Sequence, residues 1–307
     1  MTNVVVVKNL RKTYGKTIAV NDVSFVVHEG EIFGMVGPNG AGKTTTIECI
    51  EGLRKPDQGS IRVLGVNPQS DSHAICSYTG MQLQQSSLPD HMKVWEALDL
   101  YSSFYPHPVD FNLLIEQLGL TGKRDDQFKN LSGGQKQRLF IALAVLPNPK
   151  LIFLDELTTG LDPQARHAIW DLIREIRAQG KTIFLTTHFM EEAERLCDRV
   201  AIIDNGQIVA IDTPQNLIQH LAVDEYVSFS IRGMLLQEWQ DSFARIGKID
   251  VQGDRITIQG QSTETMQFVV AVVNQLSSLQ IPFHDLRTEQ PSLEDVFLKL
   301  TGHQIRE

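Results

Sequence analysis

The segment EIFGMVGPNGAGKTTTIECIEGL, residues 31 to 53, constrains the fold more than any other part of the chain. It opens apolar, turns glycine-rich and ends with helical spacing, so it predicts a buried strand, a tight loop and a helix closing near Gly52. Inside it Gly37, Pro38, Asn39, Gly40, Ala41, Gly42, Lys43 and Thr44 have the spacing G-x-x-x-x-G-K-[ST], and Thr45 follows. Glycines let backbone N–H groups turn towards phosphate oxygens, and the helix start adds positive potential. Lys43 then reaches terminal phosphates and the Thr44 hydroxyl suits Mg²⁺. Average residue usage yields the bare pattern by chance in roughly one chain of this length in a hundred. Its place between strand and helix makes a glycine-rich turn beside a surface lysine the poorer reading.

Further strands follow. LIFLDELTTGLDP, 151 to 163, runs four apolar residues into adjacent acids, Asp155 and Glu156. KTIFLTTH, 181 to 188, reads as another strand, and VAIIDNGQIVAI, 200 to 211, as a hairpin turning at Asn205-Gly206. Helical patterns such as HAIWDLIREIRAQG separate them, which indicates an α/β domain whose mainly parallel sheet is covered on both faces. After about Leu221 the texture changes. EYVSFSI alternates, LLQEWQDSFARIG has helical spacing, and IDVQGDRITI sets two strands about Gly253-Asp254, pairing Val251 with Ile256 and Ile249 with Ile258. A helix at 265 to 279, a strand from Ile281 and a last helix from Ser292 complete the order βαββαβ plus α, which predicts a small ferredoxin-like α+β domain. The expected division is 1–222, with a helical subdomain at about 85–146, and 223–307.

The 307 residues suit two such domains, and 42% hydrophobic with 21% charged residues is globular usage. A net charge of -9 without a Lys/Arg block argues against a nucleic-acid partner, because such binding rests on neutralising phosphates. Four consecutive valines near the start are too few for a secretory signal, and no stretch nears the roughly 20 apolar residues of a membrane span. Any membrane work therefore needs another chain. Three scattered cysteines without CxxC spacing fit a reducing cytosol, and no histidine spacing suggests a structural metal.

LSGGQKQR, residues 131 to 138, decides among phosphate-loop proteins. With the loop, the acid pair and TTH at 186 to 188, it resembles the nucleotide-binding subunit of ATP-binding cassette (ABC) proteins, a P-loop NTPase fold, over residues 4 to about 221. The resemblance implies ATP and Mg²⁺. It makes Tyr14 the aromatic stacked on adenine and Gln84 the glutamine that reaches Mg²⁺ and the attacking water. Gln82 and Gln85 lie close enough to compete, but counting from Gly80 favours Gln84. It implies that Asp155 and Thr44 hold the metal, that Glu156 is the general base, and that His188 contacts the γ-phosphate. Ser132, Gly133, Gly134 and Gln135 would close over ATP held by a second copy, and Asp162 would touch that copy, so a homodimer sandwiches two nucleotides. One departure is Leu157, where the family usually has proline.

The run GMQLQQSSLPDHMKVWEAL and the ending PSLEDVFLKLTG are closest to ATPase subunits of ABC-2-type exporters, which include drug, antibiotic and sodium efflux systems. This implies a separate membrane permease and a place on the cytoplasmic face of the membrane. Trp95, Phe104 and Tyr105 are then candidates to receive a permease helix, with plain core aromatics as the equal alternative. An importer ATPase, or a soluble ABC ATPase acting on a non-membrane partner, remains as the other reading. The permease, not this chain, would carry the substrate path.

Overall fold

The computed structural model describes residues 2–71, 75–82, 87–221, 225–231, 239, 242–260, 265–289 and 291–303. The chain divides into two units, the first running to Pro214 and the second from Gln215 to Gln304. The expected division at 222/223 falls just after the helix Pro214–Leu221, which belongs to the second unit from Gln215 on.

The strands of the first unit are β1 (Asn3–Tyr14), β2 (Thr17–His28), β3 (Ile32–Val36), β4 (Gln58–Val63), β5 (Thr79–Gln82), β6 (Leu151–Asp155), β7 (Thr182–Thr187), β8 (Arg199–Asp204) and β9 (Gln207–Asp212). Six form one sheet in the order β5-β6-β7-β3-β8-β9, parallel throughout except at β9. Every residue of β3, β6 and β7 is buried, which is why those segments read as unbroken apolar runs. The β8–β9 hairpin turns at Asn205 (φ 47°) and Gly206 (φ 76°), two left-handed residues of the kind a tight hairpin requires.

A separate antiparallel sheet has the order β2-β1-β4. Register shifts between Val7 and Leu10 and a left-handed Asn9 (φ 50°) break the alternation that would have signalled it. Aromatic rings join the two sheets. Phe25 of β2 stacks on Phe33 of β3 at 5.3 Å, Phe33 lies 5.6 Å from Phe184 of β7, and Phe153 of β6 lies 5.9 Å from Phe184. Burying a phenylalanine side chain stabilises by about 1.5–3 kcal/mol, so this cluster fixes the strands whose ends carry the acids and the histidine.

The helices of this unit are α1 (Lys43–Ile50), α2 (Val94–Ser102), α3 (Phe111–Gln117), α4 (Gly133–Val145), α5 (Pro163–Ala178) and α6 (Met190–Leu196); α7 (Pro214–Leu221) opens at the boundary. Helices α2, α3 and α4 pack on one another within the stretch expected to be helical.

In the second unit β10 (Glu225–Ile231), β11 (Lys248–Gln252), β12 (Arg255–Gly260) and β13 (Phe283–Glu289) form an antiparallel sheet in the order β11-β12-β10-β13. Ile249 pairs with Ile258 and Val251 with Ile256. Val227, Phe229, Ile231, Ile256 and Ile258 share a core with Phe268, Val272 and Leu276 of α8 (Thr265–Ser278). Of the segment expected to be helical at 235 to 247, residues 235–238, 240 and 241 lie outside the described residues, while Trp239, Ser242 and Phe243 are helical. The final helix α9 (Leu293–Thr301) starts where its cap requires: the Ser292 hydroxyl accepts from Asp295 N, and the Asp295 carboxylate accepts from Ser292 N.

Candidate active site

Three parallel strand ends lie side by side. Val36 pairs with Thr187, and Asp155 with Thr186, so the residues just past β3, β6 and β7 emerge together at the carboxyl edge, where open α/β sheets place their ligands. Two backbone bonds bind these exits to each other: Gly37 N donates to Thr187 O at 3.3 Å and Glu156 N to Thr186 O at 3.0 Å.

Past β3, residues 37–44 form the loop. A Cβ at Gly37 would collide with the carbonyl of Ile203, and one at Gly42 with that of Ala19. Gly42 also sits at φ 104° as the N-cap of α1, a conformation side-chain-bearing residues avoid. Both glycines are therefore required by the packing of the loop as well as by anything it binds. Pro38 is half-buried, Asn39 and Gly40 are exposed, Ala41 is buried, and Thr44 and Thr45 are half-buried in the first turn of α1. Lys43 is buried, its Nζ donating to the carbonyls of Gly37 at 2.8 Å and Pro38 at 3.0 Å.

The acids sit opposite. Glu156 Oε1 lies 3.6 Å from Lys43 Nζ and 3.5 Å from His188 Nδ1. The histidine contact is an ion-pair distance, too long to orient the ring by a hydrogen bond. Glu156 holds a left-handed backbone (φ 50°), which turns the chain sharply as it leaves the sheet. Asp155 accepts from the Thr186 hydroxyl, and Thr44 also bonds to it. Burial raises the Asp155 pKa, chiefly by desolvation, and desolvation also lowers that of Lys43. Burial at this edge means that the charge of a phosphate or a metal is felt strongly there.

Hydroxyl and carboxylate oxygens suit Mg²⁺, which keeps several waters and takes one or two protein carboxylates beside substrate phosphates. The described residues hold no group of three or more His, Cys, Asp or Glu suited to a metal. A buried acid unforeseen in the sequence, Glu51 at the end of α1, has its pKa pushed up to about 8, first by burial and then by Asp155 and Glu48.

The remaining sequence candidates divide between this edge and elsewhere. Tyr14, at the end of β1, is 41% exposed, with Lys12 Nζ 5.6 Å and Arg54 Cζ 5.5 Å from its ring centre, so it is available for stacking. Gln84 and Gln85 lie outside the described residues, while Gln82 is buried in β5. Ser132 is the N-cap of α4: Gln135 N donates to its hydroxyl at 3.3 Å, and Ser132 N to Gln135 Oε1 at 2.9 Å. Ser132, Gly134 and Gln135 line a separate cavity of about 320 Å³ with Arg138. Gly133 is exposed beside it. Asp162 caps α5, its carboxylate accepting from Ala165 N at 2.9 Å. Of the aromatic trio, Trp95 lies under Arg124, the exposed Phe104 meets Tyr101 edge-on, and Tyr105 is half-buried.

Two further side chains, Thr186 and Glu192, hold this edge together. Thr186 steers Asp155, and Glu192 accepts from both Thr158 and Trp170. The TTH run offered a signal for Thr186. For Glu192, one acid among several in a polar helix start, none existed.

The sequence pattern of the ABC transporter family matches residues 20–159. A Nod factor export ATP-binding protein I of Ralstonia nicotianae is 36% identical, covering 100% of this chain and 96% of its own length. Its counterpart in Rhizobium etli is 39% identical over 97% of this chain and 93% of its own. This chain belongs to the ABC transporter family. As an ABC ATP-binding subunit it binds and hydrolyses ATP. Solved ABC structures agree in fold: an ATP-binding subunit of an ABC transporter superposes with a TM-score of 0.64 at 30% identity, covering 71% of this chain and 93% of its own. The cassette MJ0796, solved as a post-hydrolysis dimer with ADP and phosphate, gives 0.62 at 27% identity, covering 68% and 98%. ABC ATPases work with membrane permeases and dimerise. No helix among the described residues is long and apolar enough to cross a membrane.

Proposed function

We propose that this ABC subunit powers export through a separate permease, as a homodimer that hydrolyses two ATP molecules on the cytoplasmic face of the membrane. The observation that carries the ATPase chemistry is the cluster Lys43, Asp155, Glu156 and His188 at one sheet edge, with Glu156 Oε1 within 3.6 Å of both Lys43 Nζ and His188 Nδ1. Residues 37–44 cradle the β- and γ-phosphates with backbone N–H groups and Lys43. Thr44, Asp155 and Gln84 would hold Mg²⁺, which would supply neutralisation of the phosphate charge. Tyr14 stacks on the adenine.

The geometry suggests how the base is released. One ammonium faces both Glu156 and the loop, so incoming phosphates compete with Glu156 for the charge of Lys43. Drawn to the phosphates, Lys43 leaves Glu156 to accept a proton from water placed in line with the γ-phosphorus, while His188 holds the γ-phosphate oxygens. The proton goes to the Glu156 carboxylate and the departing group is ADP.

Ser132, Gly133, Gly134 and Gln135 present a helix start to the nucleotide of the partner copy, and Asp162 lies towards the same partner. The dimer reported for a 27% identical cassette supports this arrangement. The export names of the relatives support export over import. A drug, antibiotic, lipid or ion, or the Nod factor of those names, is the class of cargo. The C-terminal unit, read as ferredoxin-like, is an accessory domain, and 1–222 with 223–307 remains the proposed functional division.

Phosphate release by the purified chain tests the mechanism: Glu156→Gln should bind ATP as tightly as the wild type and turn over at least about 100-fold more slowly. Wild-type turnover in that variant would sink it. Reconstitution with its membrane permease, with cargo measured on each side of a vesicle, tests the direction.

A further inference from the structure

A single buried carboxylate oxygen joins three segments of the site. Glu192, in the first turn of α6 and 1% exposed, accepts through Oε1 from Thr158 Oγ1 at 2.9 Å and from Trp170 Nε1 at 2.9 Å. Thr158 (0% exposed) stands two residues after Glu156, Trp170 (2%) lies on α5 eight residues past Asp162, and Glu192 itself is four residues after His188. The bonds therefore bind the turn leaving β6 to the segment leaving β7 and to the helix that Asp162 caps.

The same face of α5 makes further ties at helical spacing. Arg166, one turn before Trp170, stacks its guanidinium over Phe189 at 4.0 Å, and Arg174, one turn after, donates to the carbonyl of Arg195 at 3.0 Å. Of these ties, the Glu192 contact is the one that reaches the turn carrying Glu156. No hydrogen bond orients the His188 ring from Glu156, whose contact at 3.5 Å is too long. The relative placement of base and histidine thus depends on the backbone around them, which this carboxylate holds together with the bond from Glu156 N to Thr186 O. An apolar residue could fill the space but would leave a buried indole N–H and a buried hydroxyl without the acceptor they now share.

We propose that Glu192 is a positioning residue for ATP hydrolysis: it sets Glu156 and His188 relative to each other and couples both to Asp162 at the start of α5. The inference rests on the catalytic roles given above. It assigns Glu192 no contact with the nucleotide, so its removal acts on turnover and spares binding.

The full chain serves for the test, with phosphate release, ATP affinity by titration and thermal unfolding measured on each variant. Glu192→Ala should lower kcat at least about tenfold, since small misplacements of reacting groups are costly, while KM and ATP affinity stay within about threefold. Glu192→Gln keeps an Oε1 acceptor for both donors and should recover most of that rate. Thr158→Val, which removes one donor, should lower kcat in the same direction. An unchanged kcat in Glu192→Ala overturns the inference, as does a loss of kcat matched by an equal loss of ATP-binding sites, or a Glu192→Gln variant as slow as the alanine. Should Glu192→Ala fail to fold, Thr158→Val decides, and wild-type kcat there overturns it. Glu156→Gln, run in parallel, separates the two ideas: if it is slow while Glu192→Ala is not, only the positioning role fails.

Discussion

Leu157 is the residue at which this chain leaves its family's usual proline, and the structure shows it 2% exposed between Glu156 and Thr158. Its side chain is anchored by burial, and the next residue is anchored by Glu192, so the turn is held from within without a fixed φ. Leu157→Pro should therefore change kcat by less than about threefold in a phosphate-release assay; a nearly inactive wild type rescued by proline would contradict this. Glu51 gives a second prediction at the same scale. Its folded pKa of about 8 lies above the ordinary 4.5, so the native state retains a proton that the unfolded chain gives up in between. Stability is accordingly lost as pH rises from about 4.5 towards 8, by at most about 1.4 kcal/mol per pH unit. Glu51→Gln, with no proton to lose, should show a flatter pH dependence of its urea midpoint and a growing advantage over wild type towards about pH 8. The loop residues were legible from spacing alone, because a phosphate loop is a local structure. Glu51 and Glu192 were not, because nothing in IECIEG or MEEAER tells a buried acid from a solvated one.

Among the elements, α5 shows how one feature can serve two ends. Its N-cap Asp162 accepts from Ala165 N, Pro163 occupies the first helical position, and its apolar stripe of Ile169, Trp170, Leu172, Ile173 and Ile176 is buried. Periodicity announced this helix at 167 to 180, but its cap and Pro163 start it four residues earlier and it closes at Ala178. It did not say whether Asp162 is a cap, a partner contact or both. Replacing Asp162 by Ala should cost about 0.5–2 kcal/mol in urea unfolding, and by Ser only a fraction of that. If Asp162 also meets a second copy, Asp162→Ser should keep the stability yet lose ATPase activity, whereas a cap alone predicts that serine restores both. The β1–β2–β4 sheet is the contrasting case. Its bulges and left-handed residues disrupt the two-residue period, so pairing between distant segments decided it, and a local pattern could not.

For the whole molecule, the separation of the Ser132 cavity from the Lys43–Glu156 cluster leads to a concentration-dependent prediction. Glu156→Gln with ATP should elute as a dimer in size-exclusion chromatography and the same variant with ADP as a monomer; a monomer under both conditions would count against the shared site. The sequence by itself determined the phosphate loop, the acid pair at a buried strand's end, the capped helix α4 and the hairpin at Asn205-Gly206, since each is specified by neighbours in the chain. Tertiary structure alone decided that β3 lies between β7 and β8, so that Lys43, Glu156 and His188 meet, and that Glu192 closes on Thr158 and Trp170. The physical reason is range: caps, turns and strand periods act over a few residues, whereas strand order and the burial of a charge are set by packing among segments far apart in sequence.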